Sequence, residues 1–208
     1  MLTVALPKGR IADQTLEIFE KAYGEKIEFE DRKLILKTKD FKFLLVKNQD
    51  VVEYVLHQAA DIGIAGLDIL EERELDLVKL LDLGFGKCKI SIGMKNEDTL
   101  DNSAPEITVA TKLVNITKKH FAKKAMAVKV IKLNGSIELA PLVGLSDAIV
   151  DIVETGTTMK QNGLKVVEDI MDSSAHLIAN KNSYISKKEE ILNLYKKIND
   201  NIKNTNNL

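Results

Sequence analysis

The segment Asp147-Ala-Ile-Val-Asp-Ile-Val-Glu-Thr-Gly-Thr-Thr158 constrains the fold more than any other part of the chain. Ala148, Ile149, Val150, Ile152 and Val153 form a near-continuous apolar run rich in β-branched residues, the composition of a parallel strand covered on both faces. Asp151 interrupts that run near its end, and a small, hydroxyl-rich turn then opens a helix. Gly156 permits positive φ and close backbone approach. The amides and hydroxyls of Thr155, Thr157 and Thr158 can converge on a phosphate there, with the helix dipole adding attraction. The same residues also fit ordinary α/β punctuation, and spacing alone leaves both readings open.

The 208 residues suffice to bury a sizeable core, as one large or two small α/β lobes. A net charge of −1 and the lack of a long basic run give no nucleic-acid footprint and no membrane-binding surface. The single cysteine, Cys88, excludes an intrachain disulfide framework and a Cys-based metal site, and fits a reducing compartment. The N-terminus lacks the basic and apolar regions of a signal peptide, and no apolar stretch approaches the roughly 20 residues of a membrane helix. A cytoplasmic location is expected. His57, His120 and His176 lie far apart without ligand spacing and read as structural or surface residues.

Periodicity predicts a buried strand over 2–6, a turn at 7–10 and a helix over 11–23. Strands follow at 34–36 and 41–46, then a helix over 51–60 and a buried strand at 61–66. After a glycine-flanked crossing at 84–89, a strand at 90–94 opens a second series: strand 107–110, helix 114–127, strand 128–133 and the Asp151 strand. Residues 165–179 read as one long returning strand, and 187–202 as an amphipathic helix before a frayed, Asn-rich tail. The expected domains are lobe I over 1–88 with a C-terminal return at 178–208, and lobe II over 89–177. Ligand is expected in a cleft between them. No internal sequence repeat is visible.

Leu6-Pro-Lys-Gly-Arg10, Asp61-Ile-Gly-Ile-Ala-Gly-Leu-Asp68, Gly84-Phe-Gly-Lys-Cys88 and Glu138-Leu-Ala-Pro141 precede Gly144-Leu-Ser-Asp-Ala-Ile-Val-Asp-Ile-Val-Glu-Thr-Gly-Thr-Thr-Met159. Taken in that order, these motifs resemble the ATP phosphoribosyltransferase family, the first enzyme of histidine biosynthesis. The resemblance implies a two-lobed fold of the type II periplasmic-binding-protein kind. It also implies transfer of the 5-phosphoribosyl group from phosphoribosyl pyrophosphate (PRPP) to N1 of ATP, releasing pyrophosphate. The chain ends too early for the regulatory domain of the long form. By resemblance it is therefore the short catalytic subunit, a homo-dimer or part of a higher hetero-oligomer with a regulatory subunit resembling histidyl-tRNA synthetase.

The resemblance also assigns residues. Glu138 and Asp151 would receive the ribose hydroxyls, and Glu154, Thr155, Gly156, Thr157 and Thr158 would hold the 5-phosphate. Lys8, Arg10 and Arg32 would be the catalytic cations, with Arg10, Arg32 and Lys47 facing ATP. Mg²⁺ would be held through pyrophosphate, with no metal site made by protein alone. From the residues alone, Glu138 also fits support of a helix N-terminus, Arg32 a solvated charge, and Asp61 and Asp68 the capping of turns or helices. The chain departs from the family pattern at Lys47 and Lys89, where arginine is usual, and at Val52, Gln58 and Leu113-Val114, where proline, glycine and Tyr-Pro are frequent. Lysine lacks the planar fork of arginine, so bidentate phosphate contact at Lys47 would be lost. The alternatives are a non-catalytic two-lobed binding module and a phosphoribosyltransferase acting on another base.

Overall fold

The computed structural model describes residues 1–206 and divides into two α/β units. The first holds Met1–Leu70, Glu74–Gly86 and the chain from Ser174 onward, and the second holds Glu71–Arg73 and Lys87–Ser173. The first begins with β1 (Leu2–Pro7), α1 (Arg10–Tyr23), β2 (Ile35–Lys37), β3 (Phe41–Val46) and α2 (Val51–Leu56). It continues through β4 (Ile62–Gly66), α3 (Leu67–Arg73), whose last three residues group with the second unit, and β5 (Val78–Asp82). The second contains β6 (Cys88–Lys95), β7 (Glu106–Thr111), α4 (Val114–Lys123), β8 (Ala127–Lys132), α5 (Leu139–Leu142), β9 (Ala148–Val153), α6 (Thr157–Gln161) and β10 (Leu164–Ser173). The chain then returns through β11 (Ala175–Ala179), α7 (Lys181–Ser186) and α8 (Lys188–Asn206).

The two sheets repeat one plan. Their orders are β2-β3-β1-β4-β11-β5 and β10-β6-β9-β7-β8. Apart from the edge hairpin strand β2, each has a parallel trio centred on its first strand, β1 or β7. Each also has one strand inserted antiparallel, β11 or β6, that separates the trio from a last strand. A shared clamp accompanies this order. The Thr3 amide donates to Asp61 Oδ2 at 2.9 Å while the Asp61 amide donates to Thr3 O at 2.9 Å. In the second unit the Thr108 amide donates to Asp147 Oδ2 at 2.7 Å and the Asp147 amide donates to Thr108 O at 2.9 Å.

Each unit has its own core. In α1 the buried residues Ala12, Thr15, Leu16 and Phe19 fall at helical spacing on one face, and the helix stops at Gly24. Phe19 meets Phe41 and Phe43 of β3 edge-on, with centroids 5.1 and 5.3 Å apart, an arrangement the ring quadrupoles favour. In the second unit Ile90, Ile92, Val109, Phe121 and Val150 form one cluster. Ile137, Ala140, Ile149, Met159 and Leu164 form another, which ties α5 and α6 to β9 and β10.

Several expectations are corrected. The helix expected over 51–60 ends at Leu56, because Gln58 adopts φ 60° and Ala60 bonds back to Tyr54 O. The helix expected over 114–127 ends at Lys123, where Ala125 turns left-handed at φ 54°. Residues 165–179 are two strands in different sheets, divided at Ser174. There Leu67 N donates to Ser174 O, Ala175 N donates to Phe85 O, and Ser174 Oγ donates to Asp82 Oδ1 at 2.7 Å. The last helix runs on to Asn206, past the expected end at 202, and the remainder of the expected frayed tail, 207–208, lies outside the described residues. The short helices α3, α5 and α7 have too few turns for a clear period. Among the described residues no helix is long and apolar enough to cross a membrane.

Candidate active site

β9 is the middle strand of the second sheet. Its parallel pairing with β7 ends at Thr111↔Val150, so Asp151, Ile152 and Val153 run past the end of β7 while β6 still pairs on the other side. Apolar coverage therefore stops at Val150. Ile152 is 36% exposed, which corrects the expectation of a strand covered on both faces throughout, and β9 is parallel to only one of its neighbours. Asp151 occupies the transition and is half-buried. Its Oδ1 is buried and receives no directed hydrogen bond, although the Lys112 ammonium lies 3.1 Å away. The side chain as a whole remains 23% exposed, so the carboxylate keeps an accessible part that can accept from a ligand hydroxyl.

Three residues on, at Glu154, the chain enters the turn. Glu154, Thr155, Thr157 and Thr158 are exposed and Gly156 is half-buried. Gly156 takes φ 75° and ψ 0°, a left-handed conformation that costs glycine nothing and a β-branched residue a good deal. The hydroxyls of Thr155 and Thr157 lie 2.9 Å apart and the Thr157 amide is 3.4 Å from Thr155 Oγ1, so three polar groups gather where α6 begins. The opening turn of a helix has amides without intrahelical acceptors, so this cradle suits an anion.

Glu138 directly precedes α5, is half-buried, and makes no side-chain capping bond. It occupies the N-cap position, so any support it gives α5 is through charge and not through a capping bond. Its neighbours Ile137 and Ala140 pack with Ile149 of β9 and Met159 of α6, so one apolar cluster anchors the segments that carry Glu138, Asp151 and the turn.

The cations gather at one end of the first sheet. Pro7 of β1 is in register with Val46 of β3, so Lys8 and Lys47 leave adjacent parallel strands at the same end, and the Lys8 amide donates to Val46 O at 2.9 Å. Arg10 opens α1 two residues further on. Arg32 precedes the edge strand β2, whose antiparallel pairing places Leu34 beside Leu45 at that end. Arg32 itself has φ 61°, is 93% exposed, and lies 3.9 Å from Asp31 Oδ2.

Asp61 and Asp68 have local partners. Asp61 is buried and accepts from the Thr3 amide, from Ser183 Oγ at 2.8 Å, and from Lys187 Nζ at 2.8 and 2.7 Å. Burial pushes its carboxyl pKa up, but the bonds from Lys187, Thr3 and Ser183 outweigh this and hold it below the usual carboxylate range. Asp68 folds over Gly66, where a β-carbon would lie 2.2 Å from its Oδ1. His57 lies 3.3 Å from Glu53, His120 lies 3.1 Å from Glu168, and His176 Nδ1 lies 3.1 Å from Ser174 O. Lys112 is the site neighbour that sequence reasoning missed, since only the β7–β9 register brings it to Asp151.

The doubled α/β plan is the fold of the type II periplasmic binding proteins. The aliphatic sulphonate binding protein SsuA of Escherichia coli superposes with a TM-score of 0.62 at 13% identity, over 97% of this chain and 68% of that one. That likeness concerns the fold alone. The family model for ATP phosphoribosyltransferase matches residues 47–200. The ATP phosphoribosyltransferase of Sulfurovum sp. (strain NBC37-1) is 68% identical over 95% of this chain and 96% of its own. That of Campylobacter fetus subsp. fetus is 66% identical over 96% and 98%. The ATP phosphoribosyl transferase (HisG:HisZ) complex from Thermotoga maritima contains a chain that superposes with a TM-score of 0.83 at 33% identity, over 98% of this chain and 100% of that one. The chain belongs to the ATP phosphoribosyltransferase family.

Proposed function

We propose that this chain is the catalytic subunit of ATP phosphoribosyltransferase, which transfers the 5-phosphoribosyl group of PRPP to N1 of ATP in the first step of histidine biosynthesis. The observation that carries the site assignment is the half-buried Asp151 carboxylate, held against the Lys112 ammonium beyond the end of β7 and three residues before the turn. In this reading Asp151 and Glu138 accept the ribose 2- and 3-hydroxyls, since ionised carboxylates make strong bonds to vicinal hydroxyls. Glu154, Thr155, Gly156, Thr157 and Thr158 hold the 5-phosphate.

Adenine N1 has a lone pair and no proton, so no strong base is required to generate the nucleophile. N1 attacks C1, the C1–O bond breaks, and its electron pair leaves with pyrophosphate. Positive charge grows on the ribose and negative charge on the leaving group, so positioning and electrostatics are the expected sources of rate. Lys8, Arg10 and Arg32 supply cations for pyrophosphate and ATP phosphates, with Lys47 on the ATP side. Their common placement at one end of the first sheet supports a shared role in holding phosphate groups. Magnesium enters as part of the substrate, bound to the diphosphate oxygens of PRPP, where it neutralises charge on the leaving group.

The Thermotoga maritima structure is a HisG:HisZ complex. By that kinship we assign this chain a HisZ-type regulatory subunit resembling histidyl-tRNA synthetase, self-association into at least a dimer, and a place in the cytoplasm. The test is mass-spectrometric detection of phosphoribosyl-ATP after mixing the purified chain with ATP, PRPP and Mg²⁺, with and without that partner. Product identifies the reaction, and the difference between the mixtures measures partner dependence. No product in either mixture, with PRPP bound, would refute the assignment.

A further inference from the structure

We infer that Lys112 is a positioning residue for the phosphoribosyl donor, fixing the Asp151 carboxylate to receive a ribose hydroxyl; this rests on the assignment of Asp151 to the ribose. The backbone around Lys112 is pinned on both sides. Thr111 is fully buried, and its hydroxyl donates to Val150 O at 2.6 Å and accepts from the Leu113 amide at 2.8 Å. Thr111 and Val150 are the last paired residues of β7 and β9, so Lys112, just past the end of β7, and Asp151, the next residue of β9, follow directly from them. The sheet and the Thr111 bonds thus bring the two backbones side by side, and the side chains meet in an ion pair at 3.1 Å.

Two features separate this pair from an ordinary surface salt bridge of small worth. First, the side chains are only 33% and 23% exposed, so solvent screens them incompletely. Second, the ammonium lies against the buried Oδ1, supplying charge from the inner side, while the carboxylate as a whole keeps 23% exposure through which a ligand can reach it. PRPP carries a phosphate and a diphosphate, and a bare carboxylate held against such a ligand repels it. Lys112 offsets that repulsion where the hydroxyl must bind.

The experiment uses the full chain with its regulatory partner and compares Lys112→Met, Lys112→Arg, Asp151→Asn and the Lys112→Met/Asp151→Asn double variant. Titration calorimetry gives Kd for Mg·PRPP, and initial rates give KM for each substrate. Lys112→Met should raise Kd and KM for PRPP about tenfold, the scale of one charge-assisted interaction, with KM for ATP unchanged and the melting temperature preserved. Lys112→Arg should restore most of the affinity, and on the Asp151→Asn background Lys112→Met should add less than about twofold. Normal PRPP affinity in Lys112→Met, with affinity lost in Asp151→Asn, would overturn the role of Lys112 and leave the site assignment standing. Normal affinity in both would overturn the two together. A parallel rise in KM for ATP, or full additivity in the double variant, would overturn positioning through Asp151.

Discussion

Replacing Asp61 by asparagine should destabilise the protein by about 3 kcal/mol at neutral pH. Four donated bonds converge on the Asp61 carboxylate: one from the Thr3 amide, one from Ser183 Oγ and two from Lys187 Nζ. Asparagine keeps one acceptor oxygen, turns a donor toward the others, and leaves Lys187 without a counter-ion. Hydrogen bonds to charged groups contribute about 1.5–3 kcal/mol each, and breaking a buried pair costs about 3–5 kcal/mol. The Lys187 side chain is 36% exposed against 10% for Asp61, so solvent screening places the expected loss at the lower end of that range. In a chain of this size such a loss lowers the melting temperature by about 6–12 °C. The matching clamp offers an internal comparison. Asp147 is exposed and holds the Thr108 amide, so Asp147→Asn should cost only about 1 kcal/mol. The sign with pH is also set. The folded Asp61 carboxyl lies below its ordinary 3.8, so its contribution is complete above that pH and is lost as pH falls through the folded value. Urea denaturation of wild type and both variants at neutral pH and near pH 3 measures all of this. Equal losses in the two variants, or less than about 1 kcal/mol for Asp61→Asn, would refute the reasoning.

Asp151→Asn should keep the fold and melting temperature yet reduce turnover at least about tenfold, read from initial rates with saturating ATP. Gly156→Val should weaken PRPP binding at least as much, because φ 75° puts a β-branched residue in strain of about 1–3 kcal/mol at the turn; calorimetry measures it. Burial, with help from Lys124 and Lys123, holds His120 below its ordinary pKa of 6.5 despite the nearby Glu168. The unfolded chain thus takes up a proton first, stability falls as pH drops below about 6.5, and His120→Gln should flatten that part of a urea-midpoint-versus-pH curve. His176→Gln should leave turnover within about twofold in the same rate assay, since the ring's contact is with nearby backbone at Ser174.

Long periodic elements were legible because their patterns are local. The α1 stripe, the β3 strand and the Asp151 strand with its turn all appear close to their expected bounds. The break at Ser174 was not, because residues on either side of it are equally strand-like and only hydrogen bonds to Leu67 and Phe85 divide them. Gln58 marks another limit. The chain needs φ 60° where glycine is frequent in the family, and glutamine meets that need while donating from Nε2 to Asn180 Oδ1 at 3.2 Å. At the site, Asp151 and Gly156 announce themselves by breaking an apolar run, whereas Lys112 is an unremarkable lysine until strand register gives it a neighbour. The repeated sheet plan was hidden for a related reason. Its shared marks, Thr3 with Asp61 and Thr108 with Asp147, are two short pairs far apart in the chain.

The position of β11 bears on how the protein is made. The second unit is almost one continuous segment, so its sheet can close once residue 173 has left the ribosome. The first cannot, because β11 lies between β4 and β5 and is synthesised about 90 residues after β5. At ordinary elongation rates β4 and β5 wait about 5–20 s with open edges. During that interval the nascent chain exposes the backbone of two apolar strands to other chains, the situation in which edge pairing and aggregation begin. The burden on cellular chaperones thus falls on the half made first and completed last.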